Sequence, residues 1–242
     1  MYIAGGSGDE FFINGKLAFS ATYNEISIID EYEVEINIPR NYPDSPPNVK
    51  EVGGRISKDY HVHHNGILCL SSPVEVKKKF FQKKSMVGFV EDLLIPYLYA
   101  HSFLQEYGEM PFGELSHGVE GIIEYYKNLF DVDSNYMVVG FLRILADNNY
   151  RGHIPCPCGS HAKLRNCHGN LLLELQRYQN KNNYLSEYFY IAKHMLEKGG
   201  REIPKDFLPK SIKKKIRNTS RKNKEKKIWI NTDKIISDKG IC

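Results

Sequence analysis

The chain predicts an α+β fold: an antiparallel sheet with packed helices, followed by a small cysteine- and histidine-rich knuckle and a helical C-terminal region. Three observations predict it. Tyr32, Val34, Ile36 and Ile38 alternate with Glu33, Glu35 and Asn37, the period of two that marks a strand buried on one face. Apolar residues then recur at helical spacing over residues 86–107 and again over 119–130. Later, Cys156, Cys158, Cys167 and His168 crowd into one short stretch, with Gly159-Ser160 between them.

Taken in order, residues 1–8 are small and glycine-rich and read as a frayed start. Residues 11–21 and 31–39 are two strands, and residues 22–30 are the hairpin connection, with or without some strand of its own. Tyr42-Pro43 and Pro46-Pro47 make a stiff extended turn, because proline locks its own φ and turns the preceding residue away from helix. A short strand around Val49 leads to a glycine pair and to His61, His63 and His64. Asn65-Gly66 then gives a tight-turn signal ahead of Ile67-Leu68-Cys69-Leu70. Ser71-Ser72-Pro73 breaks the chain, and Lys77, Lys78, Lys79, Lys83 and Lys84 bracket Phe80-Phe81 as a basic loop. Such a loop could lower a nearby thiol pKa or meet an acidic partner, or be simply a solvated face.

Ser85 caps the helix of residues 86–107, whose apolar face runs through Val87, Val90, Leu94 and Leu98. Pro96 should kink or split it. The helix of residues 119–130 buries Ile122, Ile123, Tyr126 and Phe130, and residues 136–147 form a short apolar helix or linker. A helix over residues 171–196, striped with Leu and Tyr as packing surface, ends at Gly199-Gly200. Residues 205–227 hold eleven Lys/Arg against Asp206 and Glu225, a charge of +9. The chain totals +4, so the remainder is near −5 and the globular part is mildly acidic. This basic tail is nearly without aromatics, which disfavours stacking on nucleic-acid bases and favours a partner arm. Ile228-Trp229-Ile230 could clip it back onto the fold. No run approaches transmembrane length and no basic-then-apolar signal opens the chain, so the expected location is cytoplasmic.

Read by itself, Cys69 is a small buried hydrophobe or a nucleophile presented after a turn beside imidazoles. The order Tyr42-Pro43, Pro46-Pro47, a strand, a His/Asn-rich turn and Asn65-Gly66-Ile67-Leu68-Cys69-Leu70 resembles the core of ubiquitin-conjugating enzymes, over roughly residues 10–130. The resemblance implies the conjugating-enzyme (UBC-like) fold, with Cys69 carrying a protein's C-terminus as a thioester. Asp59-Tyr60-His61 stands where the family has His-Pro-Asn, so His61 or His63 would replace the oxyanion-stabilising asparagine. That departure, together with Gly113-Glu114-Leu115-Ser116-His117-Gly118 and Gly121-Ile122-Ile123-Glu124-Tyr125-Tyr126, is similar to bacterial members of antiphage defence operons. His117 is either a helper of Cys69 or a helix cap.

Five cysteines, three of them within twelve residues, argue for metal rather than disulfides. Cys156, Cys158, Cys167 and His168 suit a closed, structural Zn2+ site, with His153 and His161 as spare ligands. The spacing resembles the SEC-C motif, a zinc module that mediates protein contacts.

The expected domains are a conjugating-like catalytic domain (1–132), a linker helix (133–152), a zinc knuckle plus helix (153–200) and a basic tail (201–242). The expected function is cysteine-dependent acyl transfer, without a consumed cofactor, in cyclic-oligonucleotide antiphage signalling. The resemblance implies as partner a ubiquitin-like modifier or a cGAS-like nucleotidyltransferase, and leaves open a separate activating enzyme. The rival reading is a non-catalytic adaptor that uses the same fold and the knuckle for binding. Nucleic-acid binding is the weakest reading, because the basic residues lie outside the knuckle.

Overall fold

The structure is a computed structural model that describes residues 2–5, 11–112, 118–198, 203, 207–210 and 213. Its contacts group the described residues into two compact units that divide between His117 and Gly118. The helix expected to close a first domain at residue 132 therefore belongs to the second unit.

The first unit is built on a four-stranded antiparallel sheet in the order β1-β2-β3-β4, formed by β1 (Tyr2–Gly5), β2 (Phe11–Tyr23), β3 (Ile26–Ile38) and β4 (Asn48–Glu51). Two expectations are corrected here. Residues 2–5 are a strand paired with Phe11–Asn14 rather than a frayed start. The connection between the long strands is only Asn24-Glu25, because Tyr23 pairs with Ile26 and the register continues unbroken to Phe11 against Ile38. Asn24 (φ 46°) and Glu25 (φ 66°) both adopt left-handed conformations, the turn whose twist matches a hairpin. A glutamate at the second position hides that signal from the sequence.

The alternation in β3 does what its period implies. Ile28, Tyr32, Val34 and Ile36 are buried, in one core with Val49, Leu68, Phe80, Phe89, Leu94 and Leu98. The Ser71–Pro73 stretch is not a break into a loop. Pro73 opens α1 (Pro73–Gln82), where a missing N–H costs nothing, and the Ser72 hydroxyl accepts from Glu75 N. The lysines expected on a loop thus lie along or just beyond a helix that buries Val74 and Phe80.

Ser85 caps as expected, its hydroxyl accepting from Gly88 N at 3.0 Å. The helix that follows is interrupted: α2 (Met86–Phe89), a π-helical turn (Val90–Leu94) and α3 (Ile95–Tyr107). The wider turn falls just before Pro96 and retards the helical phase. Leu94 and Leu98 remain buried while Val87 is 58% exposed, a departure from the single expected stripe. Gly108 (φ 75°) ends α3 in the left-handed conformation that helix ends favour.

A polar tie joins α3 to the sheet. The Tyr32 hydroxyl lies 2.7 Å from His101 Nδ1 and 2.8 Å from Ser102 Oγ, which donates to Asp30 at 2.7 Å. Arg55 grips both Asp30 oxygens at 2.7 and 2.8 Å, its guanidinium 4.1 Å above the Tyr32 ring. The Arg55 hydrogen bonds, above all, hold the Asp30 carboxyl well below the ordinary carboxylate range.

The second unit packs α4 (Gly118–Phe130), α5 (Asn135–Asp147), α6 (Gly169–Tyr178) and α7 (Lys181–Glu197). The expected face of α4 is buried through Ile122, Ile123, Tyr126 and Phe130. Residues 135–147 are no mere linker: α5 buries Val138, Val139, Phe141, Leu142 and Leu145 and packs along α7. The single helix expected over residues 171–196 is two, because Asn180 Oδ1 accepts from the Asn182 and Asn183 amides and starts α7 afresh. Tyr184 and Tyr188 are core, and Glu187, 3% exposed, accepts from Gln179 Nε2 at 3.0 Å and from the Tyr126 hydroxyl.

Gly199-Gly200 and the clip at 228–230 lie outside the described residues, as does most of the basic tail. Its described part docks on α5, where Lys210 N donates to Asp147 at 2.8 Å. No described helix is long and apolar enough to cross a membrane.

Candidate functional site

In the first unit the turn after β4 carries the candidate thiol. Leu68 N donates to Val49 O at 2.8 Å, which fastens residues 67–68 to the free edge of β4. Val62 bridges Leu68 from the other side, and His63 N donates to Ile67 O at 2.8 Å. Asn65-Gly66 closes this small hairpin, with Gly66 at φ 82° and the Asn65 side chain accepting from Ile67 N. Cys69 N–H donates to His61 O at 2.8 Å, so the histidine turn and the cysteine are joined through their backbones. The Cys69 side chain is half-buried, with Sγ 4.0 Å from the Ser71 carbonyl oxygen.

Cys69 is disulfide-bonded. The expectation of metal rather than disulfides is therefore corrected at Cys69, while Cys156, Cys158 and Cys167 are free among the described residues and compatible with it. Burial, and then the neighbouring His64, push the His63 imidazole below its ordinary pKa, so it is neutral near pH 7 and able to accept a proton. His61 sits in the left-handed region (φ 38°), its ring edge-on to Tyr60 at 5.3 Å. His117 lies outside the described residues.

Sequence reasoning missed Tyr97. From α3 its single hydroxyl proton is shared between the carbonyls of Tyr60 and His61, both at 3.1 Å. The residue carries no motif, and on an apolar helix it reads as core like its neighbours.

In the second unit Ile154 and Leu164 open a second small hairpin, with Leu164 N donating to Ile154 O and Cys156 N to Ala162 O. Gly159 (φ 78°) and His161 (φ 60°) turn the loop so that Cys156 and Cys158 face back toward Cys167 and His168. A 3-10 turn (Leu164–Asn166) delivers Cys167, and His168 is the N-cap residue of α6. Gly169 follows because a Cβ there would stand 2.4 Å from the Tyr150 hydroxyl and 2.8 Å from Leu164 O.

The four ligand atoms lie within 4.8 Å of one another. Cys158 and Cys167 Sγ are 3.6 Å apart, and His168 Nδ1 is 3.2 Å from Cys156 Sγ and 3.1 Å from Cys167 Sγ. A tetrahedron with bonds of about 2.3 Å to sulfur and about 2.0 Å to nitrogen has edges of roughly 3.5–3.8 Å. The two sulfur–nitrogen distances are a few tenths of an ångström short of such an edge, the Cys158–Cys167 distance is close to one, and all four donors lie within 4.8 Å, the scale of a metal-binding cluster.

His168 Nε2 lies 2.9 Å from Phe130 O, to which it donates. That leaves Nδ1 as the lone-pair donor toward the sulfurs, the outer-shell arrangement that orients metal-bound imidazoles. Ser160 Oγ touches Cys158 Sγ at 3.2 Å and Cys167 Sγ at 3.6 Å. Burial pushes the Cys156 thiol up to about 12. At Cys158 burial is outweighed by the bonds with Ser160 and the neighbouring cysteines, which bring the thiol down to about 6. His153 and His161 are exposed and stand outside this set. Together Cys156, Cys158, Cys167 and His168 can hold a metal ion.

Compared with protein-family models, curated proteins and solved structures, the chain matches none.

Proposed function

We propose that the chain is a ubiquitin-conjugating-like acyl transferase that carries a protein C-terminus on Cys69. The observation that carries this reading is the Cys69 amide bonded to the His61 carbonyl at the edge of an antiparallel meander. It ties the backbone of a half-buried cysteine to the turn that carries His61 and His63, next to the start of a helix bearing lysines. In the reaction the Cys69 thiolate attacks an activated carboxyl carbon supplied by a separate activating enzyme, and the activating group leaves. A target amine then attacks the thioester carbonyl and expels the thiolate, and a base takes the amine proton. His63 is suited to that last role. The resemblance of residues 113–126 to bacterial conjugating-enzyme-like proteins of antiphage operons points to cyclic-oligonucleotide signalling, with a cGAS-like nucleotidyltransferase or a ubiquitin-like modifier as the conjugated protein.

The metal of the knuckle is zinc in this reading. Three thiolates and one imidazole leave no open position, so it crosslinks the second unit and serves protein contact rather than catalysis.

The adaptor reading is favoured by one observation, the disulfide at Cys69. A disulfide sulfur does not attack a carbonyl; the thiol must first be reduced. The test is a pull-down of the full chain from cells carrying the neighbouring genes, resolved on gels with and without neutral hydroxylamine. Hydroxylamine cleaves thioesters and leaves disulfides intact. We expect a hydroxylamine-labile heavier band that Cys69→Ala abolishes and Cys69→Ser converts into a reductant-stable ester. A stoichiometric partner without any such band would establish the adaptor instead.

A further inference from the structure

We infer that Tyr97 is a positioning residue for the Cys69 turn, acting from α3 through the backbone carbonyl of His61. The inference rests on the reading of Cys69 as the acyl-carrying residue.

A carbonyl oxygen has two lone pairs. That of His61 accepts the Cys69 amide at 2.8 Å and the Tyr97 hydroxyl at 3.1 Å, so both are engaged. The same hydroxyl reaches the Tyr60 carbonyl at 3.1 Å, gripping two consecutive peptides of the turn. His61 between them holds a left-handed φ of 38°, a conformation that a non-glycine residue keeps only where its surroundings impose it.

The anchor itself is rigid. Tyr97 is buried, and the Tyr60 ring packs edge-on against it at 5.5 Å and against His101 at 4.8 Å. His101 is in turn bonded to Tyr32 in the sheet. The π-helical turn just upstream sets the phase in which Tyr97 meets the turn, and such turns recur at functional sites. Acyl transfer is sensitive to small displacements of the nucleophile, which gives this grip a chemical consequence. A second consequence concerns charge. The Cys69 amide is already spent on His61, so support for an oxyanion must come from another donor.

The test compares Tyr97→Phe with Tyr99→Phe in the full-length, reduced protein. Tyr99 is the matched control: on the same helix, its hydroxyl donates to a backbone carbonyl, that of Ile26, at 3.0 Å. We expect Tyr97→Phe to speed amide hydrogen exchange across residues 60–69 by about five- to ten-fold, the scale of one lost hydrogen bond. It should cut the yield of the hydroxylamine-labile adduct by a similar factor. Tyr99→Phe should loosen the region of Ile26 and leave the adduct unchanged. Unchanged exchange at 60–69 in Tyr97→Phe, or an equal loss of adduct in both variants, would overturn the inference. A wild-type chain without adduct would overturn the reading of Cys69 instead, and the exchange comparison would still decide whether Tyr97 holds the turn.

Discussion

In the knuckle of the second unit all four ligand atoms come from residues 156–168, and the turns that aim them lie within the same stretch. In the first unit the surroundings of Cys69 are assembled from afar: β4 supplies Val49 O, and α3 supplies Tyr97, 36 positions from His61. The knuckle is a local device whose geometry follows from spacing, glycine placement and soft ligands. The cysteine turn is a tertiary device, in which the setting of Cys69 is made by strand, turn and helix together. The two should therefore fail differently.

The largest effect is expected at the knuckle. Cys158→Ala, or prolonged chelation, should abolish bound metal and destabilise the second unit by several kcal/mol, since structural zinc contributes binding free energy directly to folding. Metal analysis of the purified chain, paired with thermal melting, checks this. Retention of one equivalent of metal by Cys158→Ala would break the four-ligand assignment.

An intermediate effect is expected at the polar tie beneath the thiol turn. The folded pKa of Asp30 is depressed, so its contribution is present above the unfolded carboxylate value, near 3.9, and is lost as pH falls toward the folded value. Asp30→Asn should lower stability at pH 7 by on the order of 1–3 kcal/mol, the scale of hydrogen bonds to a charged group. It should also flatten the acid limb of the melting profile below about pH 4. A variant whose acid limb matches that of the wild type would show that the Arg55–Asp30 pair contributes nothing to folding.

The smallest effect is expected at Asn180, the cap that separates α6 from α7. Asn180→Ala should cost about 1 kcal/mol, read by denaturant midpoint, with metal stoichiometry unchanged. Loss of metal in this variant would show that the knuckle depends on helix placement more than its local construction implies.

What was legible in the amino-acid order shares one property: its cause lies within a few residues. The alternation from Tyr32 to Ile38, the Ser85 cap, the buried face of α4 and the Cys/His cluster all depend on near neighbours, and the structure contains each of them. The missed features depend on groups distant in sequence or on conformations without a residue signature. Asn24-Glu25 turns a hairpin without glycine, and a π-helical turn leaves Val87 in solvent; the start of α1 is the exception, since Ser72 as cap and Pro73 at the first helical position are a local signal.

By itself, then, the sequence determined the α+β class, the strand that lines the core and the Cys/His cluster of the knuckle, because hydrophobic period and residue spacing act over one turn or one strand. Only the tertiary structure decided that α4 and α5 belong with the knuckle, that His168 turns Nε2 to Phe130, and that Tyr97 meets the carbonyl holding Cys69. Those choices follow from which buried polar groups find partners once distant segments pack, and no local pattern encodes them.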